Sequence, residues 1–332
     1  MAAKARTIAL MLILVLALAL SLGHGESVAQ QPSFPDHPIK IVVGFSAGGG
    51  TDVIARILAQ KLFESLGQTV VVENRTGASG LIAAEAVAKS PPDGYTLMMG
   101  SQTTLAVAPT LYRKSALNPA EDFAGVALAG ISPLVLVVHP SLPAHSANDI
   151  IAMAKAAPGT INFGSGGVGT TPHMAAELFS SLAGIKMVHV AYRGEAPAIN
   201  DLLGGQIPLM FANLSAVMGN VKARHLRALA VTSAQRSAAA PELPTVAEAA
   251  VADFEAATWF ALVAPAGTPR DVLRRLNVEV QHALAQADVK LRLVGLGMTS
   301  EESTPEGLDA YIRTEIVKWR KVIRDADIPA VE

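Results

Sequence analysis

Two glycine-rich segments stand out because each joins a predicted strand to a predicted helix. The first is Gly44-Phe45-Ser46-Ala47-Gly48-Gly49-Gly50-Thr51-Asp52, and the second is Gly164-Ser165-Gly166-Gly167-Val168-Gly169-Thr170-Thr171. Glycines let a backbone approach a ligand closely and turn its N–H groups towards it. The N-terminus of a helix carries a partial positive charge, so an anion is the natural ligand of such a loop. We predict that the two loops face each other across a cleft and hold one carboxylate group or two.

The first loop also matches a motif of enzymes. Gly44, Ser46 and Gly48 fit the G-x-S-x-G nucleophile elbow of α/β-hydrolases, which lies at a strand-to-helix turn. That elbow normally sits deep in the sheet, whereas this segment follows the first predicted strand. No histidine of the chain stands in a recognisable triad context. An exported serine hydrolase with Ser46 as its nucleophile is the alternative function.

The second loop matches two nucleotide-binding motifs. Gly164, Gly166 and Gly169 fit G-x-G-x-x-G, and Arg193 after the next strand is a candidate partner for an NADP 2′-phosphate. That fingerprint usually opens a domain, and an exported protein leaves the compartment in which reduced nicotinamides are kept. The loop also resembles a P-loop, but Thr170 stands where that motif needs its lysine. We therefore predict no cofactor.

Several side chains near the loops have both a structural and a ligand-binding interpretation. Asp52 at a helix start suits a cap, and His173 in the first turn of its helix suits a structural hydrogen bond or a ligand contact. Arg193 at a strand end suits a carboxylate partner or a surface ion pair. The chain has no cysteine, and no two histidines stand four residues apart. The sequence therefore predicts no metal site.

The first 29 residues have the features of a secretory signal peptide. Lys4 and Arg6 form a positive n-region, residues 8–22 are an apolar run, and Ser27 and Ala29 are small residues at the −3 and −1 positions of a cleavage site. An uncleaved anchor helix is the alternative, but this run is shorter than the roughly 20 residues of a membrane span. We predict a soluble, periplasmic mature chain. A formal net charge of −2 without a basic block excludes nucleic acid as a partner.

Strand and helix patterns alternate along the rest of the chain. Short β-branched runs predict strands over residues 39–43, 69–73, 95–99, 134–138, 162–164, 187–191, 209–211, 226–231 and 258–264. Apolar residues at helical spacing predict helices over residues 51–66, 79–89, 146–156, 171–183, 196–203, 269–286 and 305–325. This order is typical of parallel strands with right-handed crossovers. We predict an α/β protein with two lobes, each a mostly parallel sheet flanked by helices, and a ligand cleft between them.

Ordered motifs over nearly the whole mature chain resemble one family. They include Ala47-Gly48-Gly49-Gly50-Thr51-Asp52, Val72-Glu73-Asn74-Arg75, Pro92-Asp93-Gly94-Tyr95-Thr96-Leu97, Asn162-Phe163-Gly164-Ser165, Tyr192-Arg193-Gly194, Asp201-Leu202-Leu203-Gly204-Gly205-Gln206 and Ala264-Pro265-Ala266-Gly267-Thr268-Pro269. The chain resembles the Bug receptors, the substrate-binding proteins of the tripartite tricarboxylate transporter family. The resemblance implies a two-lobed periplasmic binding fold with two crossover segments. We place one lobe at residues 30–133 plus 256–332 and the other at residues 134–255.

The resemblance also implies a function and a set of binding residues. In such receptors the two glycine-rich loops hold a ligand carboxylate, largely through backbone groups and bridging water. The ligands are di- and tricarboxylates, acidic amino acids or aromatic acids, which are delivered to a membrane transporter or sensed. We predict a monomeric binding protein without catalytic activity. The predicted ligand-binding residues are Phe45, Ser46, Ala47, Gly48, Gly49, Thr51, Ser101, Gly164, Ser165, Gly167, Thr170, His173 and Arg193.

Two departures from the family pattern bear on the ligand. Gly44 and Ser46 stand where the family often has Pro and Ala, and this difference creates the hydrolase-like motif. Ala212 stands where an Asp commonly follows the Met-Phe pair. Without that carboxylate, the ammonium group of a bound amino acid would be poorly paired. We predict preference for an acid without an amino group, aliphatic dicarboxylate or aromatic, unless Asp52, Asp201 or a backbone carbonyl takes its place.

Overall fold

Nine strands are present in the computed structural model, which describes residues 34–331. The strands are β1 (Ile39–Val43), β2 (Val70–Asn74), β3 (Thr96–Ser101), β4 (Phe123–Val138), β5 (Asn162–Ser165), β6 (Val188–Ala191), β7 (Leu209–Asn213), β8 (Arg227–Val231) and β9 (Ala257–Pro265). Every strand except β4 lies within about two residues of its predicted bounds, the usual uncertainty of strand ends. The predicted signal peptide lies outside the described residues.

The helices surround these strands. They are α1 (Gly50–Leu66), α2 (Leu81–Ala88), α3 (Ala108–Leu111), α4 (Pro119–Asp122), α5 (Ala147–Ala156), α6 (Thr171–Ala183), α7 (Glu195–Leu203), α8 (Leu214–Lys222), α9 (Val246–Ala249), α10 (Arg270–Ala285), α11 (Ala287–Gly295) and α12 (Pro305–Asp325). A 3₁₀ turn at Ala78–Gly80 precedes α2, and a π-helical turn at Thr103–Val107 precedes α3. Within residues 34–331, none of these helices has the length and apolar character needed to cross a bilayer.

The strands pair in the order β2-β1-β3-β9-β4-β7-β5-β6, and β8 pairs with β4. β1 is parallel to β2 and β3, and β5 is parallel to β6 and β7. β9 is antiparallel to β3 and β4, and β4 is antiparallel to β7 and β8. The α/β class is confirmed, and each end of the strand order contains the predicted parallel pairs. The antiparallel strands between them make the sheet mixed.

β4 changes its partners along its length. Its first part, from Phe123 to Pro133, pairs with β9, and its second part, from Leu134 to Val138, pairs with β7 and β8. The prediction included only the second part, because the first contains glycines and a proline, which are depleted in strands. Two register irregularities, between Gly125 and Ala127 and between Leu128 and Gly130, lie at the glycines. The lobe boundaries given above stay a prediction.

A buried carboxylate joins the last helix to the sheet. Glu315 of α12 is only 5% exposed, and its Oε2 accepts hydrogen bonds of 2.8 Å from both Trp259 Nε1 and Trp319 Nε1. Its Oε1 lies 3.1 Å from Lys318 Nζ. Both indoles are fully buried, so the glutamate satisfies two donors that have no access to water. This cluster fixes α12 on β9, which pairs with β4.

Candidate functional site

A cavity of about 490 Å³ lies at the carboxyl ends of the parallel strands, where ligands of α/β sheets usually bind. Residues at or just after the ends of five strands line it, with others from neighbouring elements. They are Phe45, Gly49, Gly50 and Thr51 after β1; Ser101 and Thr103 at β3; Gly166, Thr170, Thr171 and Pro172 after β5; Gly194 and Glu195 after β6; Asn213, Ser215 and Ala216 at β7; and Ser132, Thr258, Phe260, Leu296 and Met298.

Four helices of the described chain, α1, α6, α7 and α8, begin at this cavity. Their N-cap residues are Gly49, Thr170, Gly194 and Asn213, all of which line the cavity. At none of the four N-caps does a side chain accept a hydrogen bond from the first turn of the helix. The first-turn N–H groups of a helix have no partner within it, so these four ends keep donors and partial positive charge available to an anion.

Elsewhere in the described chain, three helices have side-chain caps, whereas α2, α3, α4, α10 and α11 also lack them. The side chains of Ser146, Thr245 and Thr304 each cap their own helix by accepting a backbone N–H. None of these three residues lines the cavity. The predicted capping box of Ser146 and Asp149 is confirmed.

The first glycine-rich loop is held by a polar cluster behind it. Asp52 is 2% exposed and accepts hydrogen bonds of 2.9 Å from Gly48 N, Arg56 Nε and Asn74 Nδ2. The Arg56 hydrogen bond, with those from Gly48 and Asn74, lowers the pKa of Asp52 to about 2. Asn74 Nδ2 also donates to Phe45 O at 2.9 Å. Asp52 therefore has a structural role, but it positions the loop and does not cap the helix, whose N-cap is Gly49.

The second glycine-rich loop rests on two histidines. Gly167 N donates to Ser165 Oγ at 3.1 Å, and this hydroxyl lies 2.6 Å from His189 Nε2. Gly169 N donates to His173 Nδ1 at 3.1 Å. The two imidazole rings stack with their centroids 3.8 Å apart. These contacts set the loop conformation from the side that faces the protein interior.

An unpaired hydroxyl lies at the wall of the same cavity. Ser101 lines the cavity, is 3% exposed, and its Oγ has no hydrogen-bond partner among the described residues. The next side chain, Gln102, accepts from Thr171 Oγ1 at 2.9 Å, but its Nε2 is also unpaired within residues 34–331. Buried polar atoms without partners are uncommon in native proteins. At a cavity wall, such a hydroxyl is available to a ligand.

The predicted binding residues divide into three groups. Phe45, Gly49, Thr51, Ser101 and Thr170 line the cavity. Gly164, Ser165 and His173 are buried behind the second loop, and Gly167 is half-buried within it. Ser46, Ala47, Gly48 and Arg193 are exposed and do not line the cavity. Only the first group is in place for direct ligand contact in this conformation, and the set as a whole stays a prediction.

Glu195 and Asn213 are cavity residues that the sequence patterns did not indicate. Glu195 is the first residue of α7 and Asn213 is the last residue of β7. Asn213 N donates to Glu195 Oε1 at 2.7 Å, and Asn213 Nδ2 donates to Oε2 at 2.7 Å. The available signal was topological: β6 and β7 are parallel to β5, so their carboxyl ends share the edge of the second loop.

Ala212 and the two acids proposed to substitute for the missing family carboxylate, Asp52 and Asp201, do not line the cavity. Ala212 is fully buried in β7 and does not line the cavity. Of the proposed substitutes, Asp52 is engaged behind the first loop, and Asp201 accepts a hydrogen bond of 2.8 Å from Tyr192 Oη. Among the described residues that line the cavity, the carboxylate is that of Glu195, so the charge facing the ligand depends on Glu195.

The geometry does not support the hydrolase alternative. Ser46 is exposed, and among residues 34–331 its hydroxyl makes no hydrogen bond with a histidine. Ser46 is not one of the non-glycine residues of the described chain that have a positive φ. Its backbone therefore lacks the strained turn of a nucleophile elbow. The G-x-S-x-G match is a coincidence of loop composition.

We expect stability to fall with acidification through His189. Burial and the neighbouring His173 lower the pKa of His189 from 6.5 to about 3. Between these values the unfolded chain binds a proton that the folded protein does not, so the free energy of unfolding falls from pH 6.5 towards 3. Because the ring is only partly buried, the loss should stay well below the limit of about 1.4 kcal/mol per pH unit. Urea unfolding across this range should show a shallower fall for His189→Gln; equal slopes would contradict the assignment.

Comparisons with known proteins give a consistent result. The sequence model described as "Tripartite tricarboxylate transporter family receptor" matches residues 54–328. Protein BugT of Bordetella pertussis is 40% identical over 294 residues, covering 88% of this chain and 90% of BugT. The R. palustris protein Rpa4515, solved with adipate, has 37% identity and a TM-score of 0.78, covering 90% and 100% of the two chains. The periplasmic binding protein BugD has 31% identity and a TM-score of 0.74, covering 90% and 100%.

Proposed function

Because this chain belongs to the receptors of the tripartite tricarboxylate transporter family, we propose that it is a periplasmic solute-binding protein for a small carboxylate. It captures the acid in the cavity at the starts of α1 and α6 and performs no chemistry on it. Receptors of this family serve transport, and relatives of known structure are periplasmic. The ligand class is a di- or tricarboxylate or an aromatic acid.

The observation that carries this proposal is the set of uncapped helix ends around a buried unpaired hydroxyl. Gly49 and Thr170 leave the first N–H groups of α1 and α6 without side-chain partners, and Ser101 Oγ, without a partner in the described chain, lies at the same cavity. A carboxylate has about four acceptor positions and a negative charge, so it matches these donors. The similar protein Rpa4515 was solved with adipate, which also carries carboxylates.

We expect ligand to draw the two lobes together, because each glycine-rich loop supplies only part of the binding shell. The chain passes between the halves of the sheet at Leu134 and again near Ala256, just before β9. Thr232 joins these two passages, since its Oγ1 accepts from Leu134 N at 2.8 Å and its O accepts from Ala256 N at 3.0 Å. Small-angle scattering should show a smaller radius of gyration at saturating ligand. An unchanged curve would point to a preclosed site.

The experiment that tests binding against catalysis uses Ser46→Ala. Ser46 is exposed and outside the cavity lining, so its removal should lower carboxylate affinity by at most one hydrogen bond, about 0.5–1.5 kcal/mol. Calorimetric titration gives the affinity, and a nitrophenyl ester assay gives any hydrolysis. Esterase activity above background that Ser46→Ala abolishes would overturn the proposal.

Export and delivery complete the proposal. Residues 1–29 direct the chain to the periplasm and are removed, and the mature protein acts as a monomer. It presents its ligand to the membrane subunits of a tripartite tricarboxylate-type transporter or to a sensor. The support for this step is the family assignment, since a receptor of this family works with a transporter.

A further inference from the structure

Glu195 occupies a position at the cavity that would otherwise suit a ligand carboxylate. It is the first residue of α7, and its two oxygens accept 2.7 Å hydrogen bonds from the backbone and side chain of Asn213, the N-cap of α8. A carboxylate held in this way neutralises the start of α8. One of the four uncapped helix ends, that of α8, is therefore already paired with an acid that belongs to the protein.

The remaining lining offers no formal positive charge against Glu195. Across the described chain, none of the cavity-lining residues is a lysine, arginine or histidine. Glu195 also lies next to the second glycine-rich loop, because a Cβ added to Gly166 would stand 3.0 Å from Glu195 N. A ligand anchored by its carboxylate at α1 and α6 would therefore place a second carboxylate near an acid that no formal positive charge of the lining offsets.

The rest of the wall suits an apolar ligand body. Phe45, Phe260, Leu296 and Met298 line the cavity together with its hydroxyl-bearing residues. Burial of a hydrocarbon ligand body against this apolar wall is favourable, whereas the wall offers an ionised group no hydrogen bond or opposite charge.

We propose that Glu195 narrows the carboxylate ligands of the proposed function to monocarboxylates with an apolar body and rejects the di- and tricarboxylates that the family assignment also allows. This inference rests on the proposed function, since it assumes that a ligand carboxylate binds at the starts of α1 and α6. It separates this chain from its relative Rpa4515, which was solved with the dicarboxylate adipate. The carboxylate of Glu195 stands in the place of the second carboxylate of a dicarboxylate ligand.

The test is a calorimetric titration with two matched pairs of acids. Hexanoate and adipate have the same six-carbon chain, and benzoate and terephthalate share one ring; only the second acid of each pair adds a carboxylate. The proteins are wild type, Glu195→Gln and Glu242→Gln. Glu242 is exposed and outside the cavity lining, so its variant controls for the change in net charge.

In at least one pair, wild type should bind the monocarboxylate at least about tenfold more tightly than the dicarboxylate. The reason is that the second carboxylate of the ligand and Glu195 carry like charges, which repel each other. Glu195→Gln should reduce that ratio by about tenfold, and Glu242→Gln should leave it unchanged. Equal or tighter binding of the dicarboxylates by wild type would overturn the inference and leave the proposed function standing. The wild-type ratio needs no variant, so a folding defect of Glu195→Gln would not affect this comparison. Binding of none of the four acids would overturn the proposed function itself.

Discussion

Replacement of Gly49 by aspartate is expected to abolish carboxylate binding without loss of stability. Gly49 is the N-cap of α1, with φ −75° and ψ 164°, a conformation that any residue adopts. A Cβ there would meet only Ser46 O, at 3.5 Å. The carboxylate of an aspartate would accept hydrogen bonds from the first-turn N–H groups that we assign to the ligand, and it would repel the charge of the ligand. Because like charges in one site cost several kcal/mol, affinity should fall about 100-fold or more.

Gly49→Asn is the matched control. Asparagine has nearly the same shape and caps a helix as well as aspartate does, but it carries no charge. Both variants should keep the thermal midpoint of wild type or raise it slightly, and Gly49→Asn should lose much less affinity for the same acid. If Gly49→Asp binds the acid as tightly as wild type does, the ligand does not lie at the start of α1.

Replacement of Glu315 by alanine is expected to give a large loss of stability. Two buried indole N–H groups, of Trp259 and Trp319, would lose their shared acceptor. Since each buried donor without a partner costs about 1–3 kcal/mol, the free energy of unfolding should fall by about 2–6 kcal/mol. Chemical denaturation followed by circular dichroism measures this change.

Glu315→Gln distinguishes the hydrogen bonds from the charge. Glutamine keeps one oxygen acceptor for the indoles and removes the ionic contact with the partly exposed Lys318, which is worth little. Its stability should therefore lie between those of wild type and Glu315→Ala. A loss below about 1 kcal/mol for Glu315→Ala would show that the indoles find other partners.

Local patterns were sufficient to predict most of the fold and the two glycine-rich loops that border the cavity. The helix α6 was predicted at its observed bounds, because its apolar spacing and the glycine after it are signals within one segment. The two glycine-rich loops were found for the same reason, since glycine clusters between a strand and a helix are visible in the sequence. Gly49 and Thr170 line the cavity as those loops require.

Features that depend on distant pairing were not predicted. The first part of β4 looks unfavourable as a strand because of Gly125, Gly130 and Pro133, and it exists because β9 pairs along it. Glu195 and Asn213 lie 18 positions apart and meet only because β6 and β7 both flank β5. Tertiary contacts override local preference at such positions. A search of all strand ends on one sheet edge would have included both residues.

Whether the cavity holds an intact small acid can be read from native mass spectrometry of the protein purified without unfolding. Tight ligands of binding proteins often stay bound through purification. We expect a complex with one small carboxylic acid, which is released unchanged when the protein is denatured and is lost from Gly49→Asp. A bound cation, a nucleotide or a covalent acyl group on Ser46 would contradict the proposed function.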